Sequence, residues 1–276
     1  MTSVNSPGLL ATRYLLLNLT LRELRSRYKR SVLGWAWSMV NPIATMLIFS
    51  LVFRVFLKIA PPAGDPSGLE NFPLFLLCGL LPWNFLANSL GGSVVAIVGN
   101  AGLIKKVYFP RSVLPTASVL GWNVNLLIEF GVLFVALMFA GNMVIPWIPV
   151  VALVVVLQTF FVLGIGLGLS ALNVYFRDIQ HFLSIALLMW FYATPIVYPP
   201  SFVPIQYVLF GMDIPLRAIY NLNPMVHFLG AYRSLIYDLR WPELDSIIYL
   251  VVVSIVSLAL GSLIFRRFRS RFAEEL

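Results

Sequence analysis

The sequence is short of the residues that soluble enzymes work with. Charged side chains make up 11% of its 276 residues, with two histidines and one cysteine; an ordinary globular domain is about a quarter charged. A lone cysteine, Cys78, excludes an internal disulfide and any multi-cysteine metal site, and it reads as a small buried hydrophobe. His181 and His227 stand apart from each other, and no grouping of His, Asp and Glu has metal-ligand spacing. Neither a Ser-His-Asp set nor a phosphate-loop motif is present. No catalytic residue, metal site or nucleic-acid surface is therefore expected. Residues 1–12 lack a basic start followed by an apolar core, so no cleavable signal is expected.

What the chain has is apolar length. Hydrophobic residues reach 60% and the mean hydropathy is +0.90, values a water-soluble chain could hold only by exposing large apolar patches. The solvent for much of it must be lipid. A spanning helix takes about 20 residues, which leaves room for roughly half a dozen spans and none for a soluble nucleotide-binding domain of usual size. Apolar runs place spans at 35–57, 72–97, 113–140, 146–172, 179–197 and 247–265. They are continuous rather than alternating, so a membrane β-barrel is rejected. The expected fold is all-α and integral to the membrane, as one transmembrane domain over 1–276.

Orientation follows from the basic residues. With both termini inside, the inner segments carry Arg13, Arg22, Arg25, Arg27, Lys29, Arg30, Lys105, Lys106, Arg111, Arg177, Arg266, Arg267, Arg269 and Arg271. The outer segments carry Lys58, Arg217, Arg233 and Arg240. The positive-inside rule then sets both termini in the cytoplasm.

Four stretches depart from plain spans. Residues 12–30 read as an amphipathic helix in the inner interface, with Leu17, Leu21, Leu24 and Tyr28 on one face and Arg22, Arg25 and Lys29 on another. It is either an anchor for the first span or a docking surface. The loop 99–112 carries Leu103, Ile104, Val107, Tyr108 and Phe109 as exposed apolar groups among Lys105, Lys106 and Arg111. That pattern suits a short helix pressed into a partner's groove, or a second interfacial helix with snorkelling lysines. Region 198–246, cut by six prolines from Pro199 to Pro242, suits re-entrant or interfacial segments at the outer side; its aromatics are interfacial belt residues or gate lining. Gly164 and Gly168 form a small-residue packing motif. Arg54 and Glu129 fall within spans at similar depth, where a charge is a functional candidate; a structural pair or interfacial placement is the plainer account.

Three stretches, in order, resemble a known family. Arg25-Ser-Arg-Tyr-Lys-Arg-Ser-Val-Leu-Gly-Trp-Ala-Trp-Ser-Met-Val-Asn-Pro42 resembles the approach to the first span in ABC-2-type permeases that export polysaccharide. Ile104-Lys-Lys-Val-Tyr-Phe-Pro-Arg-Ser-Val-Leu-Pro115 is similar to their coupling segment. Asn173-Val-Tyr-Phe-Arg-Asp-Ile179, continuing to Tyr192-Ala-Thr-Pro-Ile-Val-Tyr-Pro199, resembles their passage between the fourth and fifth spans. The resemblance favours the O-antigen, capsule and teichoic-acid group over the lipid and drug branches.

It implies a non-catalytic homodimeric permease of the bacterial cytoplasmic membrane, served by two copies of a separate ABC ATPase. That ATPase would hold the ATP and magnesium, this chain binding no cofactor. The expected cargo is a lipid-linked polysaccharide. Arg22, Arg25, Leu103, Ile104, Lys105, Lys106, Tyr108, Phe109 and Arg111 would meet the ATPase. Trp35, Trp37, Phe176, Tyr192, Tyr198, Tyr207 and Tyr220 are candidates for the substrate path or gate, since sugar CH faces stack on aromatic rings. Two rivals are weaker on the residues: a secondary transporter normally shows internal repeats, and a membrane glycosyltransferase needs inner acidic residues that this chain scarcely offers.

Overall fold

The computed structural model describes residues 9–28, 34–56, 58, 63–209 and 212–276. Helix α1 (Leu9–Tyr28) precedes α2 (Trp37–Ser50), which widens into a π-helical turn at Leu51–Phe56. Then come α3 (Phe72–Ala96), the short α4 (Ala101–Lys106), α5 (Val113–Phe139), α6 (Ile148–Tyr175) and α7 (Ile179–Tyr192). A two-stranded antiparallel hairpin follows, β1 (Tyr207–Leu209) with β2 (Met212–Ile214), pairing Tyr207 with Ile214. Helices α8 (Leu216–Asn221), α9 (Pro224–Arg233), α10 (Leu244–Phe268) and α11 (Phe272–Glu275) complete the chain.

Among the described residues, four helices are long and apolar enough to cross a membrane: Phe72–Ala96, Val113–Phe139, Ile145–Tyr175 and Leu244–Arg271. Each exceeds the length needed for a ~30 Å hydrocarbon core. These match four of the six expected spans. The expected span 179–197 is realised only as the 14-residue α7, because Pro195 bars continuation of the helix. In the expected outer re-entrant region, α8 and α9 are helical, but Tyr207–Leu209 and Met212–Ile214 pair as strands instead.

Local chemistry sets the helix ends. Asn71 caps α3 by accepting the Leu74 N–H at 3.3 Å, with Pro73 in the first turn where a missing N–H costs nothing. Asn223 caps α9 in the same way through Met225 N–H, ahead of Pro224. At the end of α5, Gly141 takes φ +86°, and the N–H groups of Gly141 and Asn142 return to Met138 and Leu137 O, the left-handed glycine stop that closes a helix end.

The centre of the bundle is α3, buried almost all round against α2, α5, α6, α7 and α9, as expected of a helix apolar on every face. Helix α10 packs along α6, and the small-residue motif sits at that crossing. Gly164 lies against the backbone of Ser257 and Leu258, and Gly261 against the carbonyl of Gly164. Neither position has room for a β-carbon. Gly168 approaches Gly261 and Ile264 more loosely. Polar pins cross the apolar interior. Gln158 on α6 donates to Pro82 O at 2.9 Å and accepts from Tyr232 Oη on α9 at 2.9 Å, which satisfies groups that would be costly to bury alone.

Candidate functional site

The chain's two ends carry the candidate residues. At the end of the bundle expected to be inner, opposite the expected outer end, α1 packs along α5, but not by the face expected from its leucines. Leu19, Thr20 and Leu24 are buried, while Leu17 and Leu21 are exposed beside Tyr14. The buried stripe is thus rotated, sharing only Leu24 with the expected one; the side chain of Tyr28 lies outside the described residues. Arg22 leaves the helix to donate to Asn100 Oδ1 at 2.8 Å, and Asn100 donates to Ala96 O at 2.9 Å. Helix α1 is therefore tied to the head of the 99–112 segment, and Arg25 is exposed.

Within that segment, α4 is the short helix the sequence predicts. Its apolar groups divide, however. Ile104 and Phe109 are each 7% exposed and join an inner core with Leu19, Ala96, Val113, Leu114, Phe265 and Phe272. They hold the segment to its own chain, a correction to the expectation that both are exposed. Tyr108, 74% exposed, and Val107 stand out on the extended elbow after α4, beside the exposed Lys105 and Lys106; Leu103 is half-buried. Arg111 is also engaged within the chain, donating to Arg269 O and lying 5.9 Å from the Phe272 ring centre.

The expected path residues do not gather at one place. The side chains of Trp35, Arg54 and Tyr207 lie outside the described residues. Trp37, Phe176 and Tyr192 are exposed, and Tyr192 continues an exposed stripe on α7 through Phe182, Ile185, Leu188 and Met189. Tyr198 donates to Tyr192 O at 3.0 Å and lies close to Tyr220. Burial raises the phenols of both Tyr198 and Tyr220 above the ordinary tyrosine value, so each remains a neutral hydroxyl. Glu129 is 8% exposed and, among the described residues, has no hydrogen-bond or ion-pair partner. It borders an apolar cleft of about 560 Å³ between α2, α3 and α5, with Met46, Leu77, Leu133 and Ala136. Among the described residues no cluster of His, Cys, Asp and Glu could hold a metal. His227 is occupied structurally, between Ser246 Oγ at 3.0 Å and Asn221 O at 2.8 Å.

Residues 14–237 match the family model described as ABC-2 type transporter. The chain belongs to this family. It is 36% identical over 265 residues to an O-antigen export system permease, RfbA, of Myxococcus xanthus, covering 96% of each protein. It is 31% identical over 265 residues to an RfbA of Klebsiella pneumoniae, with 95% of each covered. The polysialic acid transport protein KpsM of Escherichia coli is 26% identical over 253 residues, 90% of this chain and 91% of that one. The expected family resemblance and the integral-membrane character both hold.

The outer end of this ABC-2 protein holds groups that composition does not reveal. After α9, a π-helical turn at Ser234–Asp238 ends on Leu239 with φ +62°. Asn142 donates to the carbonyls of Ile236 and Tyr237 at 2.9 and 3.1 Å, and Ser67 Oγ donates to Tyr237 O at 2.6 Å. Tyr237 Oη accepts from Asn71 N–H at 3.0 Å. Arg233, which the sequence places among outer-surface charges, is 6% exposed. Its guanidinium lies 3.9 Å from the Phe75 ring centre and donates to Ile196 O at 2.8 Å. A basic residue beside an aromatic-rich, proline-broken stretch is the signal that could have marked it.

Proposed function

We propose that the chain is the membrane subunit of an ATP-driven exporter of a lipid-linked polysaccharide of the O-antigen, capsule or teichoic-acid type. The reading rests on near-full-length similarity to O-antigen export permeases, joined to one structural feature: an exposed aromatic elbow, Val107–Tyr108, held on a buried base formed by Ile104 and Phe109. A segment anchored from behind and exposed in front suits a rigid element that seats in a partner's groove. The partner is an ABC ATPase in two copies, which carries the ATP and magnesium. This chain binds no cofactor.

In this reading the chain works as a homodimer in the bacterial cytoplasmic membrane, both termini inside, with α2 and α7 completing six spans per copy. The exposed stripe on α7 and the residues Trp37, Phe176, Tyr192, Tyr198 and Tyr220 face the second copy and the sugar chain. Arg22, Arg25, Lys105 and Lys106 rim the inner surface, where they attract the ATPase and anionic lipid phosphates. ATP binding moves the ATPase pair, the elbow carries that movement into the segment, and the bundle shifts between states that differ in access to the path.

The test is Tyr108→Ala, which removes the exposed ring and leaves the buried base in place. Co-purification of a co-expressed ATPase and surface polysaccharide should both fall, export by about tenfold, while thermal stability of the permease stays within about 0.5 kcal/mol. Full assembly with full export would overturn the assignment.

A further inference from the structure

The C-terminal tail packs back against the inner end of the bundle. After α10 a short 3-10 turn, Arg269–Arg271, leads into α11, and Phe272 is 0% exposed. Its ring meets Phe265 on α10 edge-on at 5.5 Å and Tyr175 at the end of α6 at 6.4 Å. Tyr175 in turn meets Phe268 at a tilt, ring centres 5.2 Å apart, and donates to Phe268 O at 2.9 Å. The Phe272 ring also carries the Arg111 guanidinium, which donates to Arg269 O. Phe272 also belongs to the apolar cluster that buries Ile104 and Phe109. One side chain thus touches or shares a core with the 99–112 segment, α6, α10 and α5.

We propose that residues 269–276 form a strut that positions the 99–112 segment, with Phe272 as its wedge and Arg111 as its tie. The strut rests on the coupling role proposed for that segment. Arg111 is then a positioning residue held by the tail, rather than a direct contact to the ATPase. Its cation sits over an aromatic face and on a backbone carbonyl, an arrangement that fixes orientation through both charge and plane. Force delivered at Tyr108 passes through this tie to the ends of α6 and α10, the two helices locked together at Gly164 and Gly261. Without the tie, the elbow would move while the bundle stayed still.

The test compares the full chain with Phe272→Ala, Phe272→Leu and Arg111→Gln. Hydrogen exchange of backbone amides in 107–112, read by mass spectrometry in detergent, should quicken by about tenfold in Phe272→Ala and Arg111→Gln. Phe272→Leu should restore most of the protection. Exchange within residues 72–90 of α3, whose buried side chains belong to a separate apolar cluster, should stay unchanged and shows that the bundle is folded. Should Phe272→Ala lose protection in α3 as well, Arg111→Gln, which opens no cavity, decides alone. A co-expressed ATPase should still co-purify with Arg111→Gln, while polysaccharide export falls about tenfold. Unchanged exchange in 107–112 in Arg111→Gln overturns the strut, and so does normal export from a variant whose segment has loosened. The coupling role itself fails separately, through intact export in Tyr108→Ala, and the exchange result does not depend on it.

Discussion

The outer and inner ends of the bundle are built on opposite plans. The outer end is irregular backbone held by hydrogen bonds: Asn142, Ser67, Asn71 and Tyr237 converge on one π-helical turn, and Arg233 fastens that region to α3 and to the turn after α7. The inner end consists of regular pieces held by apolar packing, with long-range side-chain ties from Arg22, Arg111 and Tyr175. Directional bonds to backbone carbonyls admit one arrangement. Apolar packing is non-directional and tolerates small shifts of one short piece against another. The proposed coupling at Tyr108 would use this asymmetry: one end keeps its shape as a frame, and the other receives a partner's movement.

Breaking the frame should cost most. Asn142→Ala leaves the Ile236 carbonyl without its side-chain donor in a buried site, for a loss of about 1–3 kcal/mol, read as a lowered denaturation temperature in detergent. A change smaller than the assay's error would remove the claim that the outer end is the stiff one. At the inner end Arg22→Gln breaks an exposed tie, and in the same assay it should cost no more than about 0.5 kcal/mol; a loss matching that of Asn142→Ala would erase the contrast. The smallest effect concerns Asp238, half-buried at the edge of the outer clasp. Burial raises its carboxyl above the ordinary value, with Arg240 opposing at 3.5 Å. The folded state therefore holds that proton more tightly than the unfolded one. Its contribution is fully present below the ordinary carboxylate value and is lost as pH rises through the raised one. Asp238→Asn should flatten that step in a stability-versus-pH series.

What could be read from the sequence follows the range of the forces involved. Helices α3, α5, α6 and α10 declare themselves as continuous apolar runs, because lipid acts on every residue of a span alike. The close glycine approach on α6 is equally local in its letters, although the partner Gly261 is not. The division of the 99–112 segment is invisible at that level. Composition marks Ile104, Tyr108 and Phe109 as equally apolar, and only membership of the buried cluster that also holds Val113 and Phe272 separates the covered from the exposed. Arg111 finds its acceptor 158 residues away, beyond any pattern in its own loop. The rotated face of α1 has the same cause, since the spacing of Leu17 and Leu21 is helical but α5 meets the neighbouring stripe. The hairpin had a local sign: two β-prone triplets separated by a spacer with Gly211, overshadowed by the surrounding prolines.

The solitary Cys78 has a practical consequence. It is the chain's one thiol, and it lies fully buried in the middle of the densest helix. A water-borne maleimide needs an accessible thiolate, and this side chain presents neither access nor charge. The natural protein is therefore already a blank background for chemical footprinting. A cysteine placed in turn at each position of the α7 stripe would report its own wetness without any prior repair of the scaffold. The wet face of α7 could be charted residue by residue in an otherwise unaltered molecule.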